Sequence, residues 1–208
     1  NLSLNTTDKL NDYYGVGTRI RPLKVYDFYE ALSPDDTEYL TIPENIDFWF
    51  FFSSNYNRRF ALDFNPTLSF FNETDRIKYG VFISPRYRFN DRFSLIYEFD
   101  FSRLNSNIGN TFELSGNDYI FARRDIITYT NKLEGKYSVN NRMNINLSAR
   151  HYWSYVTNRE FLNLQNNGEV ATNTTFTDNL NQNLNVWNFD LSYNWWFAPG
   201  SQVTVLYR

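Results

Sequence analysis

The chain has 208 residues, 20 of them Lys or Arg and 23 Asp or Glu, with a formal net charge of -3. That length allows one domain with ample material for a core, and the weakly acidic balance excludes the clustered basic surface of a dedicated nucleic-acid binder. Cysteine is absent, which excludes disulfides, thiolate-ligated metals and a thiol nucleophile.

The unusual quantity is aromatic content: 20 Phe, 16 Tyr and 5 Trp stand beside a single Met, yet mean hydropathy is -0.56. Rings mixed with abundant polar residues do not suit a disordered chain. They suit strands with one apolar and one polar face. The longest unbroken apolar run is Phe48 to Phe52, too short for a membrane-crossing helix. The sequence opens without Met, a basic n-region or an apolar h-region, so no signal peptide is expected in it. The chain is expected to be a piece of a longer protein.

In chain order, residues 1 to 15 carry no usable signal and stay unassigned, and everything from 16 to 208 reads as one domain. Val16 to Tyr29 reads as a strand broken near Pro22, and Ser33 to Glu44 as a loop. From Asp47 onward the period is two. Phe60, Leu62, Phe64, Leu68 and Phe70 alternate with Arg59, Asp63, Asn65, Thr67 and Ser69. Ile77, Tyr79, Val81, Ile83, Tyr87 and Phe89 follow, then Phe93, Leu95, Tyr97, Phe99 and Phe101. After a predicted loop from Leu104 to Asp118, a strand runs to Val139, and Met143 to Tyr155 alternates again. A second long loop is predicted from Thr157 to Asn183, before a strand from Trp187 to Phe197 and a last one through Val203, Val205 and Tyr207.

Between these strands a turn pattern recurs: Asn57-Arg58-Arg59-Phe60, Asn90-Asp91-Arg92-Phe93 and Asn140-Asn141-Arg142-Met143. Asn tolerates the positive φ that tight hairpins need, and Ala198-Pro199-Gly200-Ser201 makes a fourth short turn. Parity then predicts register. The turn at Asn140 pairs Val139 with Met143, Tyr137 with Ile145, Gly135 with Leu147 and Tyr129 with Trp153; it also pairs Lys136 with Asn146 and Lys132 with Arg150. The turn at Asn90 pairs Tyr87 with Leu95 and sets Arg86 diagonal to Glu98, and that at Asn57 pairs Phe64 with Phe52 and Leu68 with Phe48. Tight turns alternate with longer connections, the order of an up-and-down meander.

The predicted fold is therefore all-β: an antiparallel up-and-down transmembrane β-barrel of outer-membrane type. The runs match the roughly 9 to 11 residues that a tilted strand needs to cross a bilayer and exceed the roughly 5 to 6 of globular strands. Membrane-interface aromatics would be Phe89, Phe93, Tyr137 and Trp195 toward the tight turns, and Tyr129, Trp153, Tyr155 and Trp187 toward the long loops. Lumen-lining residues would be Lys78, Arg86, Arg88, Glu98, Asp100, Lys132, Glu134, Lys136, Arg150 and Asp190, too many charges for a small dry interior. Either the first and last strands close a small barrel or the chain is one wall of a bigger one; the charged lumen favours the second.

The stretch Arg123-Arg124-Asp125-Ile126-Ile127-Thr128-Tyr129-Thr130-Asn131-Lys132-Leu133-Glu134-Gly135-Lys136-Tyr137, with Asn140-Asn141-Arg142-Met143, Phe60-Ala61-Leu62-Asp63 and His151-Tyr152-Trp153-Ser154-Tyr155, carries a resemblance. It is similar to the C-terminal barrel region of bacterial outer-membrane proteins whose N-terminal domain resembles carbohydrate-binding family nine. The resemblance covers most of the chain after about residue 25 and implies a surface-exposed barrel in glycan or nutrient handling. Its motifs are strand and turn patterns, and no functional residue carries over.

No catalytic constellation stands out, and no enzyme is expected. The single histidine, His151, falls on the apolar face opposite Asn131 with no Ser beside it for a lipase-type arrangement. Glu98, Asp100 and Asp190 read as lumen charges rather than a glycosidase pair. Asn105 to Asp118 reads as a solvated loop rather than a calcium site. Arg123-Arg124 is a candidate for lipopolysaccharide phosphates, but a local ion network with Asp118 and Asp125 reads better.

The expectation is a bacterial outer-membrane protein giving a solute pathway or anchoring a surface or periplasmic domain. Its partners would be outer-membrane lipid and lipopolysaccharide, with envelope proteins or a plug, and no nucleic acid; no cofactor or metal is expected. The alternatives are a structural or partner subunit of an envelope complex without pore activity, and a soluble β-sandwich that binds a ligand.

Overall fold

In the computed structural model, residues 1–32, 37–115 and 118–208 are described. The chain forms, in order, β1 (Leu2–Thr7), β2 (Tyr13–Arg21), β3 (Val25–Asp27), the single helical turn α1 (Phe28–Ala31), β4 (Leu40–Ile42), β5 (Asn45–Ser53), β6 (Phe60–Phe71), β7 (Ile77–Arg88), β8 (Phe93–Ser115), β9 (Asp118–Asn140), β10 (Met143–Leu164), β11 (Val170–Thr172), β12 (Gln182–Ala198) and β13 (Ser201–Tyr207). Part of the loop expected at Ser33 to Glu44 lies outside the described residues; its remainder contains β4.

One antiparallel sheet dominates, in the order β1-β2-β5-β6-β7-β8-β9-β10-β12-β13, with β11 added beside β10 and a separate β3–β4 pair. The unassigned N-terminal stretch supplies β1, which pairs with β2 along Leu2↔Thr18 to Thr7↔Tyr13. The chain is thus all-β and up-and-down as expected. Closure is not seen: β1 and β13 stand at opposite edges without pairing to each other.

Most of the predicted register holds, because a period of two fixes which face each residue takes. Tyr137↔Ile145, Gly135↔Leu147, Tyr129↔Trp153 and Lys132↔Arg150 are paired, as are Tyr87↔Leu95, Phe52↔Phe64 and Phe48↔Leu68. One pair is corrected. Met143 meets Asn140 rather than Val139, because a bulge between Met143 and Asn144 takes up a residue at the turn.

The turns work differently from the expectation. None of Asn57, Asn90 and Asn140 has positive φ. Asn side chains act instead as acceptors that close the turn. Asn90 Oδ1 accepts from the backbone N–H of Arg92 (2.9 Å) and of Phe93 (3.0 Å), and Asn140 Oδ1 from that of Arg142 (2.8 Å). In the first hairpin Asn55 takes that role, accepting from Asn57 N–H at 3.0 Å. Of the four short turns predicted, only the Pro199-Gly200 turn uses a left-handed residue, Gly200 at φ 73°.

The two long loops are also corrected. Residues from Leu104 onward continue β8 to Ser115, and β9 starts at Asp118, so each strand has 23 residues. β10 likewise continues past Thr157 to Leu164, and β11 lies within the second predicted loop. Polar composition had pointed to loop. Pairing across three long strands satisfies the backbone there, with bulges at Leu104/Asn107, Asn110/Leu114 and Asn158/Glu160 absorbing the irregular stretches.

The small core sits at this extended end. Leu40, Ile108, Phe121 and Leu162 pack together, with Tyr119, Leu164 and Val170 against them. The β3–α1–β4 insertion closes over it. Asp27 caps α1 by accepting from Glu30 N–H at 3.0 Å, Thr41 N–H donates to Gly168 O at 2.7 Å, and Lys24 meets Glu169 at 3.3 Å. A segment between β2 and β5 is thereby tied to the β10–β11 turn.

Candidate functional site

The register sorts every strand of the main run into two faces. On one lie Leu4, Val16, Phe52, Phe64, Ile83, Phe99, Leu133, Ala149, Phe189 and their alternates through to Val205 and Tyr207. This face stays apolar across the whole sheet and is open: Leu4 is 70% exposed, Trp187 70% and Phe189 46%. Among the described residues only eight hydrophobic side chains are buried. Ala61 alone of these lies in the body of the sheet; the others belong to the insertion and the extended ends of β8, β9 and β10. Among the described residues no second sheet covers the rings.

Aromatic contacts form two bands on that face. Toward the tight turns, Tyr87, Phe89, Phe93 and Tyr137 form a chain with centroid separations of 4.7, 4.8 and 6.3 Å, and Trp195 lies 5.6 Å from Phe197. Toward the other end, Phe101, Tyr129 and Trp153 follow at 5.1 and 5.5 Å, with Tyr155 on the same face of β10. His151 pairs with Asn131 as expected. It stacks on Trp187 at 4.2 Å, and its Nε2 lies 3.0 Å from Asn185 Oδ1. Trp153 Nε1 donates to Asn183 at 2.7 Å and the Tyr97 hydroxyl to Asn131 at 2.6 Å. His151, Trp153 and Tyr97 thus each have a side-chain partner on this face.

All ten expected lumen residues fall together on the opposite face. Rows of register run through Arg88–Ser94–Lys136, Arg86–Ile96–Glu134–Ser148–Asp190, Glu98–Lys132–Arg150 and Asp100–Thr130, and Lys78 lies on the same face of β7. At the centre Lys132 Nζ lies 2.6 Å from Glu134 and 3.5 Å from Glu98. Asp190 meets Arg208 at 3.1 Å. The guanidinium of Arg150 sits 5.9 Å from the Tyr152 ring. Arg86 pairs with Ile96 and so stands diagonal to Glu98 as expected, but its ion pair is made elsewhere. Arg86 binds Asp63 at 3.3 Å and lies 4.2 Å over the Tyr56 ring, because β6 brings a carboxylate held by the Tyr56 hydroxyl (2.7 Å) and Ser53 (2.7 Å) to its other side.

Sequence reading missed several members. Arg19 and Arg21 share a face of β2 and both reach Asp47, at 2.8 and 3.4 Å. Their spacing of two was the available signal, obscured by the unassigned start of that strand. A second set gathers at the extended end. Arg123 bridges Glu73 (2.7 Å) and Glu160 (2.6 Å), and Arg124 lies 3.6 Å from Glu30. The expected ion network is present there but with other partners: Asp125 binds Arg159 at 2.8 Å instead. Burial acts to lower the Arg123 pKa, but its two glutamates outweigh it and hold the value above the usual one. Burial lowers that of Arg124, with Glu30 opposing. Neither arginine is free to clamp a phosphate.

Together these features define an all-β protein: an open antiparallel sheet with one apolar and one ion-bearing face and, among the described residues, no helix long and apolar enough to cross a membrane. The chain belongs to the family described as a domain of unknown function, DUF5916, whose model matches residues 1–208. Comparison with curated proteins gave no match, and neither did comparison with solved structures.

Proposed function

We propose that this chain forms the wall of a transmembrane β-barrel in a bacterial outer membrane, its apolar face against lipid and its ionic face lining an aqueous path for solutes. One observation carries the reading: a continuous apolar face that runs the width of the sheet without protein cover. Strands in lipid need every backbone group paired, so the β1 and β13 edges must close on each other or on further strands. They stand at opposite ends of an up-and-down run and are antiparallel, as closure would require. The likeness to barrels that follow a family-nine-like domain supports a further role as anchor for a surface domain. A soluble sandwich is opposed by the near absence of a core beneath the sheet.

The test is conductance. In planar bilayers, replacing Lys132 and Arg150 together by Glu turns a paired row of cations anionic and should shift ion selectivity toward cations. Unchanged selectivity in a conducting protein retires these residues as pore lining. The unpaired edges favour one second reading, a structural subunit that completes its sheet with partner strands. Absence of conductance together with a stoichiometric partner would select it.

A further inference from the structure

The ionic face holds a second feature, away from the Lys132 cluster. One row of register crosses four neighbouring strands as Arg19–Asp47–Ser69–Lys78, and the next as Gly17–Trp49–Thr67–Gly80. Arg19, Arg21, Asp47, Trp49, Ser69 and Lys78 line a cavity of about 650 Å3, within the size range of small-molecule sites. Its two ends are cations on long stems, separated by three strand spacings, roughly 14 Å between backbones. Between them lie the Thr67 and Ser69 hydroxyls and the rings of Trp49 and Phe71.

The charges do not cancel. Among the described residues Asp47 is the one carboxylate lining this space, its side chain is 12% exposed, and a single oxygen of it serves both arginines. Arg19 engages it through Nε and Arg21 through Nη1, which Arg21 also donates to Asn45 Oδ1 at 2.8 Å. The remaining guanidinium N–H groups make no other hydrogen bond among the described residues. Lys78 has no ion pair among the described residues either. A guanidinium fork held by a buried carboxylate, facing an uncommitted ammonium, is built to receive an oxyanion.

The structure assigns this cavity as a binding site for a small organic anion, one carrying a carboxylate or phosphate group. The oxyanion sits between the Arg19–Arg21 pair and Lys78, while Thr67 supplies a hydroxyl contact and the Ser69 hydroxyl stays on Asp47. The assignment goes beyond the proposed pathway, since occupancy of this cradle needs no conductance.

Isothermal titration at low ionic strength tests it on the whole chain folded in detergent, with glycerol 3-phosphate and succinate as probes and glycerol as the neutral control. Saturable binding of at least one anion and none of glycerol is expected, and the tighter probe identifies the headgroup. Lys78→Gln removes a cation that holds nothing else in place. It should weaken binding about tenfold, the scale of one charge-assisted hydrogen bond. Lys132→Gln, on the same face two strands further along, should leave the affinity unchanged. Lack of saturation by both anions, or equal weakening by the two variants, overturns the assignment.

Discussion

A single arginine placed on the apolar face measures what covers that face. Ala149 lies midway between Met143 and Tyr155 on β10, thus between the two aromatic bands, flanked by Leu133 and Phe189 on the neighbouring strands. An arginine at the lipid-facing midplane of a barrel costs about 2 to 4 kcal/mol. Its stem is long enough to snorkel, so the lower half of that range is expected for Ala149→Arg. Ser148→Arg, one residue away on the ionic face, lands between Glu134 and Asp190 and should cost nothing or stabilise slightly. Refolding into phosphatidylcholine vesicles, followed by urea titration and tryptophan fluorescence, reads both variants. With a slope of about 2 kcal/mol per molar urea, the Ala149→Arg midpoint should fall by about 1 M. Water over that face predicts instead that the two variants lie within about 0.5 kcal/mol of the parent. That result, or a costlier Ser148→Arg, refutes lipid cover.

Two further perturbations probe the sheet itself. The Trp49 ring lies directly against Gly17 on the neighbouring strand, in the space that a Cβ would occupy. Gly17→Val should therefore displace the ring and destabilise by about 1 to 3 kcal/mol, and should add nothing once Trp49 is already Ala; a full additive loss in the double variant refutes the contact. In the β1–β2 turn, Asp8 accepts N–H bonds from Asp12 (2.9 Å) and Leu10 (2.8 Å) and the Tyr14 hydroxyl (3.1 Å). The Asp12 N–H foremost holds its carboxyl below the usual aspartate pKa. A folded-state value below the unfolded one gives stability that is complete above the ordinary pKa and is lost as pH falls through the lowered one. The stability gap between the parent and Asp8→Ala should stay constant from neutral pH to about pH 5 and shrink below about pH 4; a gap that widens on acidification contradicts the sign.

Much of this architecture was legible in the chain. Alternation of Phe93, Leu95, Tyr97, Phe99 and Phe101 with polar neighbours fixes both strand and face, because successive side chains of a strand must point oppositely. Each short turn then sets one register, and Lys132, Glu134 and Arg150 fall together by parity alone. Pairing partners outside a hairpin are not local, however. The sequence placed Arg86 toward Glu98 within its own hairpin, while the preceding strand brings Asp63 closer.

What the amino-acid order determined by itself was the two-faced ribbon, since that follows from steric alternation within each segment. Tertiary structure decided the rest: that the polar residues after Leu104 and Thr157 continue as strands, that Leu2–Thr7 joins the sheet, and that the β3–α1–β4 insertion lies over the extended end. A polar segment has no apolar stripe to announce it. Only a neighbouring strand that satisfies its backbone groups makes it β, and only bulges reconcile its register with that neighbour.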